Sequence, residues 1–193
     1  MATPSVPINF VPVEKGEVYG YTRQHSTRAD HNKVNLGVIT IRIMEDGSRT
    51  DNRIGSAEFT LPPHTSGPPP HWHEMHDETF LVTQGKMQFH GLHGETIVAK
   101  LGDYVTVPTR SPHTFSNPYD EEAKFFNTYT PAFYINYFKM LSKMSSEGVP
   151  MSPEHNRRAM AYFATIGVAE QEMKPPHQTD TPEKGEQVEH GDR

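Results

Sequence analysis

The most informative stretch of the sequence is residues 67–85, which read GPPPHWHEMHDETFLVTQG. After three prolines, His71 and His73 are separated by a single residue. Residues i and i+2 of a β-strand project from the same face, so both imidazoles can point into the interior of a barrel. Glu78 opens the next strand-like run, and its carboxylate can return beside the two histidines.

Two neutral imidazoles and one carboxylate form the facial ligand set of a divalent transition metal and leave coordination positions open for substrate or dioxygen. A further candidate ligand lies in residues 102–117, GDYVTVPTRSPHTFSN, where His113 follows a turn at the end of a strand. From there its side chain can face back across the barrel. The residues therefore predict one bound iron, manganese, nickel, cobalt, copper or zinc ion, held by His71, His73, Glu78 and His113.

Seven short runs rich in β-branched and aromatic residues lie between residues 36 and 130, and most are bounded by Gly, Pro, Asn, Asp or Ser. These features are typical of strands. The predicted strands cover residues 36–43, 54–61, 79–83, 86–90, 96–100, 104–107 and 124–130. Their spacing favours an antiparallel sandwich or barrel and therefore an all-β fold.

Helical patterns appear only after these strands. Thr130 is predicted to cap a helix whose first residue is Pro131. The buried face of that helix is predicted from the spacing of Tyr134, Tyr137, Phe138 and Leu141. A second helix is predicted to begin after Ser152 and to stop near Gly167.

The chain is predicted to have four parts. The N-terminal part is read as an extended arm with short strands near residues 8–13 and 18–21, and the C-terminal part as a disordered tail that is almost free of apolar residues. The predicted parts are an arm over residues 1–35, a barrel over 36–130, helices over 131–168 and a tail over 174–193.

Composition and charge exclude several classes of protein. The 193 residues suit a single domain, and the absence of cysteine excludes disulfides, thiolate metal sites and iron–sulfur clusters. With 18 basic and 24 acidic residues the formal charge is −6, and no dense Lys/Arg stripe suggests a nucleic acid or a membrane as partner. No apolar run approaches the ~20 residues that span a bilayer, and the first residues do not resemble a signal peptide. We expect a cytoplasmic protein.

The two histidine-containing segments resemble the paired motifs of the cupin superfamily. The first motif, a His-x-His pair, four residues, Glu, six residues and Gly, is matched by His71, His73, Glu78 and Gly85. The second motif is matched by Gly102, Pro108, His113 and Asn117. Two positions depart from the family pattern: Gly67 precedes the histidine pair by three residues rather than five, and Arg110 stands where the family has Gly.

Within this superfamily, the phrases PHWHEMHDETFLVTQGKMQF and VPTRSPHTFSN are similar to those of small single-barrel proteins that look like quercetin dioxygenases. Those relatives also carry helices after the barrel. The resemblance spans roughly residues 35–168 and leaves the N-terminal arm and the C-terminal tail uncovered. It implies a jelly-roll barrel followed by two C-terminal helices, a bound metal and a homodimer. It leaves the substrate open, because one fold hosts many chemistries.

Three functions are compatible with these residues. The first is a dioxygenase that acts on a flavonol-like, phenolic or polyketide-type substrate, with Glu78 as metal ligand and general base. The second is a redox-neutral isomerase, cyclase, decarboxylase or lyase acting on an enolic or β-keto substrate. The third is a protein that binds a small molecule without catalysis. The aromatic residues predicted to line the substrate pocket are Phe80, Phe89, Phe115 and Tyr129.

The remaining histidines of the strand-rich region are interpreted as surface or turn residues. They are His64, His76, His90 and His93.

Overall fold

The computed structural model of the chain describes residues 9–11, 33–36, 38–149 and 152–174. Within these ranges the protein is a mainly β structure, followed by two short helices. The strands are β1 (Asn9–Val11), β2 (Lys33–Leu36), β3 (Ile39–Asp46), β4 (Gly55–Leu61), β5 (Thr65–Ser66), β6 (His71–His73), β7 (Asp77–Gln84), β8 (Lys86–His90), β9 (Thr96–Lys100), β10 (Tyr104–Val107), β11 (Thr114–Asn117), β12 (Ala123–Thr130) and β13 (Thr165–Gly167).

These strands form a jelly roll whose described pairings are all antiparallel. A seven-stranded sheet has the order β1-β10-β7-β12-β4-β3-β2, and a four-stranded sheet has the order β5-β11-β8-β9. A third sheet pairs only β13 with β6. The predicted all-β jelly-roll class is therefore confirmed.

Alternating side chains of the central strands build the core. In β12 every second residue is buried, as the period of two for a strand with one inward face requires. The ring of Phe125 from this strand stacks on Phe59 of β4 at 4.7 Å between centroids and meets Phe80 of β7 edge-on at 5.3 Å. Aromatic packing of this kind joins neighbouring strands into one apolar interior.

Most predicted strands are confirmed. β8, β9 and β10 have the predicted bounds, and β4, β7 and β12 differ from theirs by one or two residues. The prediction of a single strand over residues 36–43 was wrong, because Leu36 at the end of β2 pairs with Ile39 at the start of β3 in a tight hairpin.

The short strands β5, β11 and β13 were not predicted. Each has only two to four residues, too few for the alternation of side chains to be recognisable.

The described pieces of the predicted arm are strands at the two edges of the large sheet. β1 pairs with β10, and β2 pairs with β3. β1 lies inside the predicted strand near residues 8–13, whereas the predicted piece at 18–21 and the tail from residue 175 onward lie outside the described residues. The boundaries of the four parts stay a prediction.

The helical region differs from the prediction at its start. Thr130 does not cap a helix; it is the last residue of β12, and a 3₁₀ turn over Ala132–Tyr134 leads into α1 (Ile135–Ser146). The predicted buried face is confirmed, because Tyr134, Tyr137, Phe138 and Leu141 are all 5% exposed or less.

The second helix, α2 (Pro153–Tyr162), begins as predicted. The Ser152 hydroxyl accepts a hydrogen bond from the N–H of His155 and so caps the first turn. The helix ends at Tyr162, before the predicted stop near Gly167, because the next residues enter β13. Neither helix, of 12 and 10 residues, is long and apolar enough to cross a membrane; that finding covers the described ranges.

Candidate metal centre and cavity

Three neighbouring segments bring the four predicted ligands together. β6 carries His71 and His73, β7 carries Glu78, and His113 precedes β11. The backbones of His71 and His113 exchange both hydrogen bonds, at 3.1 and 2.8 Å, which fixes the two ligand segments side by side. All four side chains are buried inside the barrel.

The candidate ligand atoms of the four residues lie close enough to one another to coordinate a single metal ion. His73 Nε2 is 3.1 Å from Glu78 Oε1, and His113 Nε2 is 3.6 Å from Glu78 Oε2. His71, His73 and His113 each offer a nitrogen within 4.8 Å of those of the other two. The structure therefore clusters all four residues that the sequence singled out.

The rings of His71 and His113 are oriented by carbonyl groups of their own loops. His71 Nδ1 lies 2.8 Å from the carbonyl oxygen of Pro69, and His113 Nδ1 lies 2.9 Å from that of Ser111. A carbonyl oxygen only accepts, so both Nδ1 atoms carry the proton and both Nε2 lone pairs remain free. This is the outer hydrogen bonding that metal-binding histidines commonly make.

Burial sets the charge of the cluster. Burial lowers the pKa of His71 well below its ordinary value and the pKa of His73 to about 4. Burial alone would raise the pKa of Glu78, but the imidazoles around it, His73 foremost, hold that pKa well below the usual range. At neutral pH two uncharged imidazoles therefore face an ionised carboxylate.

This arrangement fits a divalent transition metal. His73 Nε2 is fully buried and has no hydrogen-bond partner among the described residues, although a carboxylate oxygen lies beside it. With the His73 ring proton on Nδ1, beside Thr165 Oγ1, the Nε2 lone pair and the carboxylate are two acceptors that face each other, an arrangement that a cation between them would stabilise. Three imidazole nitrogens and one carboxylate oxygen are donors that suit iron, manganese, cobalt, nickel, copper or zinc.

The interpretation of His76 as a surface or turn residue was wrong. Its side chain is buried, its ring lies 4.0 Å from that of His73, and its Nε2 is 3.4 Å from Glu78 Oε1. Since an ionised carboxylate only accepts, His76 Nε2–H is the donor in this contact. Its position two residues before Glu78, on the same face of an extended chain, is the signal that could have identified it.

The other three histidines agree with the prediction: His64 and His93 are exposed and His90 is half-buried.

A cavity of about 670 Å³ opens onto the cluster. His71, Glu78 and His113 line its inner end, whereas His73 and His76 are not part of its wall. A small molecule in the cavity would therefore meet one face of the cluster, while His73 and His76 lie behind that face. This is the open side that a catalytic metal site needs.

Three of the four aromatic residues predicted for the pocket line this cavity: Phe80, Phe115 and Tyr129. Phe89 does not line the cavity; its ring is fully buried and packs against Phe80 at 5.0 Å between centroids. Phe89 is a core residue.

The start of α1 and the turn before it contribute further cavity residues, Tyr134 and Tyr137, which belong to the predicted buried face of the helix. The Tyr134 ring lies 4.6 Å from that of His76 on one side and stacks on Tyr137 at 4.9 Å on the other. The Tyr137 hydroxyl donates to Asn156 Oδ1 of α2. Burial raises the pKa values of Tyr134 and Tyr129 well above that of a free tyrosine, so both hydroxyls keep their protons at neutral pH.

Arg110, which departs from the family pattern, takes the backbone conformation that favours glycine. Its φ angle is +63°, in the left-handed region. Its N–H donates to the His73 carbonyl at 2.8 Å, and its guanidinium group pairs with Glu74. The turn is therefore preserved with an arginine in it, and it holds the backbone beside a ligand.

Part of the chain matches a known protein family. A family model described as a cupin domain matches residues 57–129, which extend from β4 into β12. These residues are therefore similar to a cupin domain, and we call this matched region the cupin domain. It contains all four predicted ligands and His76.

Several solved structures are similar to part of this chain. The polyketide cyclase RemF from Streptomyces resistomycificus is 23% identical over 56% of this chain and 80% of that one, with a TM-score of 0.48. KdgF from Halomonas sp. is 20% identical over 57% and 94%, also with a TM-score of 0.48. A predicted oxalate decarboxylase from Thermotoga maritima is 21% identical over 48% and 80%, with a TM-score of 0.45. No curated protein sequence matches the chain significantly.

The centre also depends on residues outside the cupin domain. Tyr134 and Tyr137 close the cavity from the helical region, and Thr165 of β13 lies 2.8 Å from His73 Nδ1. The complete site is therefore built by the cupin domain and the segment that follows it.

Proposed function

We propose that this protein is a metal-dependent cupin enzyme that oxygenates a flat, hydroxylated small molecule of the flavonol-like, phenolic or polyketide type. The observation that supports it is the buried cluster of His71, His73, Glu78 and His113, which opens on one side into a cavity with aromatic walls. A volume of about 670 Å³ is within the usual range for small-molecule sites.

The four clustered residues would hold the ion. A divalent metal bound there would act as a Lewis acid on a substrate oxygen and, if it is redox-active, would support reaction with dioxygen. The protein holds the imidazole rings with their Nδ1 protons directed away from the centre, toward Pro69 and Ser111 for His71 and His113. Because these rings are already oriented, a metal ion can bind without reorienting them.

Glu78 is the residue that would accept the substrate's proton. Its carboxylate is ionised, lines the cavity and is within reach of a hydroxyl group placed at the inner end. His76 donates to Oε1, so Oε2, on the side of His113, is the oxygen we assign as the base.

The cavity wall would orient a flat substrate. Phe80, Phe115 and Tyr129 offer ring surfaces for stacking, and they exclude water from the inner end. The amide of Asn127 donates to the Thr79 carbonyl at 2.9 Å, which orients this polar group of the wall. Polar groups of this kind fix the orientation of a ligand in an otherwise apolar pocket.

A redox-neutral reaction on an enolic or β-keto substrate is the second candidate, and the tyrosines favour it. Tyr129 and Tyr134 keep their hydroxyl protons at neutral pH and line the same cavity as Glu78. A base and a proton donor in one cavity can move a proton between two positions of a substrate. Isomerisation, cyclisation, decarboxylation and elimination all use such a transfer.

One experiment separates these functions. Protein purified without added metal is analysed for its metal content and screened against flavonols, simple phenols and β-diketones in air and under strict anaerobiosis. Oxygen uptake with turnover only in air supports oxygenation. Product formed without dioxygen refutes oxygenation and supports the second candidate. Binding of a compound that is never converted supports a non-catalytic protein.

Variants relate the result to the cluster. His73→Ala removes one ligand, and we expect it to lose bound metal and turnover while the barrel stays folded. His64→Ala is the matched control, because His64 is an exposed histidine in the same domain. Wild-type metal content in His73→Ala would contradict the assignment.

A further inference from the structure

The ring of His73 is oriented by a residue far away in the sequence. Its Nδ1 lies 2.8 Å from Thr165 Oγ1, 92 positions along the chain. His71 and His113 use carbonyl groups two residues from themselves, so only His73 among these three depends on a distant segment. Thr165 is 1% exposed, which shields this contact from water.

The hydrogen bonds around Thr165 indicate where its proton lies. Its hydroxyl is 3.2 Å from the carbonyl oxygen of Phe163, a group that can only accept. A Thr165 hydroxyl that donates to Phe163 has its oxygen free to accept the Nδ1 proton of His73, and we assign that arrangement to this contact. That tautomer leaves the Nε2 lone pair of His73 directed toward Glu78, where a ligand atom is required.

The segment that carries Thr165 is aligned with β6 residue by residue. Thr165 pairs with His73, and Gly167 pairs with His71. Two further backbone bonds extend the pairing at both ends: the Glu74 N–H donates to Ala164 at 2.9 Å, and the Val168 N–H donates to Pro70 at 2.8 Å. A slip of one residue would direct Thr165 to the other face, so this register determines the contact.

The same segment is fixed to the rest of the molecule by packing. Met160 of α2 is fully buried in the core, and the Phe163 ring contacts Phe133 and Tyr137 at 5.2 and 5.8 Å between centroids. The hydroxyl of Thr165 is therefore held in place by the core as well as by the strand pair.

We propose that Thr165 is a positioning residue for metal binding, through which the segment after the cupin domain completes the site by fixing the tautomer and orientation of His73. This inference rests on the proposed metal centre. It assigns to a residue outside the matched domain a role that ligand motifs cannot reveal. Loss of an outer hydrogen bond of this kind lowers metal affinity by about 10- to 100-fold.

The test is a metal titration of three variants and the wild-type chain. Thr165→Val keeps the branched shape but removes the hydroxyl, and Thr165→Ser keeps the hydroxyl. Thr65→Val is the matched control, because Thr65 is a buried threonine of β5 whose hydroxyl donates to the Pro63 carbonyl at 3.3 Å. Affinity for Co²⁺ and Zn²⁺ is measured by chelator competition and by the fluorescence of Trp72, the single tryptophan, which lies between the two ligands of β6.

We expect Thr165→Val to bind both ions about 10- to 100-fold more weakly than the wild type, and Thr165→Ser and Thr65→Val to stay within about twofold. Equal affinity in Thr165→Val overturns the inference and leaves the proposed metal centre intact. Failure of the wild-type chain to bind either ion overturns both.

A second measurement does not depend on the folding of a variant. The nitrogen chemical shifts of the histidine side chains in metal-free wild-type protein distinguish the two neutral tautomers. A protonated Nδ1 on His73 is expected, and a protonated Nε2 would overturn the inference. If Thr165→Val does not fold, Thr165→Ala takes its place in the titration, since it removes the hydroxyl without leaving a branched side chain.

Discussion

Acid should destabilise the metal-free protein through His73, and the size of the effect follows from its burial. The pKa of His73 is about 4 in the folded chain, against 6.5 for an unperturbed histidine. Between these values the unfolded chain binds a proton that the folded chain does not. Stability is therefore highest above pH 6.5 and falls as the pH drops toward 4.

The magnitude is set by the proton uptake of the unfolded state. Each unit of pKa difference corresponds to about 1.4 kcal/mol, so His73 alone should reduce the free energy of unfolding by about 2 kcal/mol between pH 7 and pH 5. His71, whose pKa is also lowered by burial, adds a loss of the same sign. Glu78 adds almost none there, because it is ionised in both states above pH 5.

Urea unfolding at pH 7, 6 and 5, with a chelator present and Trp72 fluorescence as the signal, measures this loss. We expect His73→Gln to lose about 2 kcal/mol less than the wild type between pH 7 and pH 5, because glutamine does not titrate. His64→Gln, at an exposed histidine outside the cluster, is measured in parallel as the matched substitution.

An equal loss in His73→Gln and in the wild type would refute the reasoning. That result would mean that His73 is protonated in the folded chain and forms an ion pair with Glu78. A cation that binds at the centre would then have to displace the proton on His73. The conclusion that the imidazole nitrogens facing Glu78 carry free lone pairs would be wrong.

Three further substitutions test other parts of the molecule. If the Glu78 carboxylate is the base, Glu78→Gln should reduce turnover far more than metal content. Equal losses in turnover and in metal, measured by elemental analysis, would mean that Glu78 acts only as a ligand. His76→Phe keeps a ring against Tyr134 but removes the donor to Glu78 Oε1; we expect a turnover loss of about 10- to 100-fold with metal retained, and unchanged turnover would contradict the role of this contact. Phe125→Ala should lower the free energy of unfolding by about 3–5 kcal/mol in a urea titration, because the ring is fully buried, and a loss below about 1 kcal/mol would contradict its place in the core.

The fold class and the four clustered residues could be predicted from local patterns. Alternation along β4, β7 and β12 reports which face is buried, and the spacing of His71 and His73 places both on one face of β6. Such periodicities depend only on the geometry of an extended chain. The strand faces predicted from them are therefore found in the folded structure, with small changes in the strand bounds.

Which side chains lie buried at the site and the cavity was decided by tertiary contacts. The alternation that places His76 on the same face as Glu78 does not show how deep the ring lies: His76 is buried beside Glu78, whereas His64 is exposed beside Asp120. Phe80 and Phe89 have similar strand neighbours, yet only Phe80 reaches the cavity. Which side chain faces a cavity depends on how two sheets meet, and no single strand carries that information.

The amino-acid sequence by itself indicated an antiparallel β fold through the spacing of its strands, and the resemblance of its two histidine motifs implied the jelly roll and the four candidate metal ligands. The pairing of β13 with β6, which brings Thr165 to His73, was decided only by the tertiary structure. A three-residue strand has too little pattern to be recognised alone. Its position comes from the packing of α2 and of Phe163 against distant parts of the chain, and contacts over such separations leave no local periodicity.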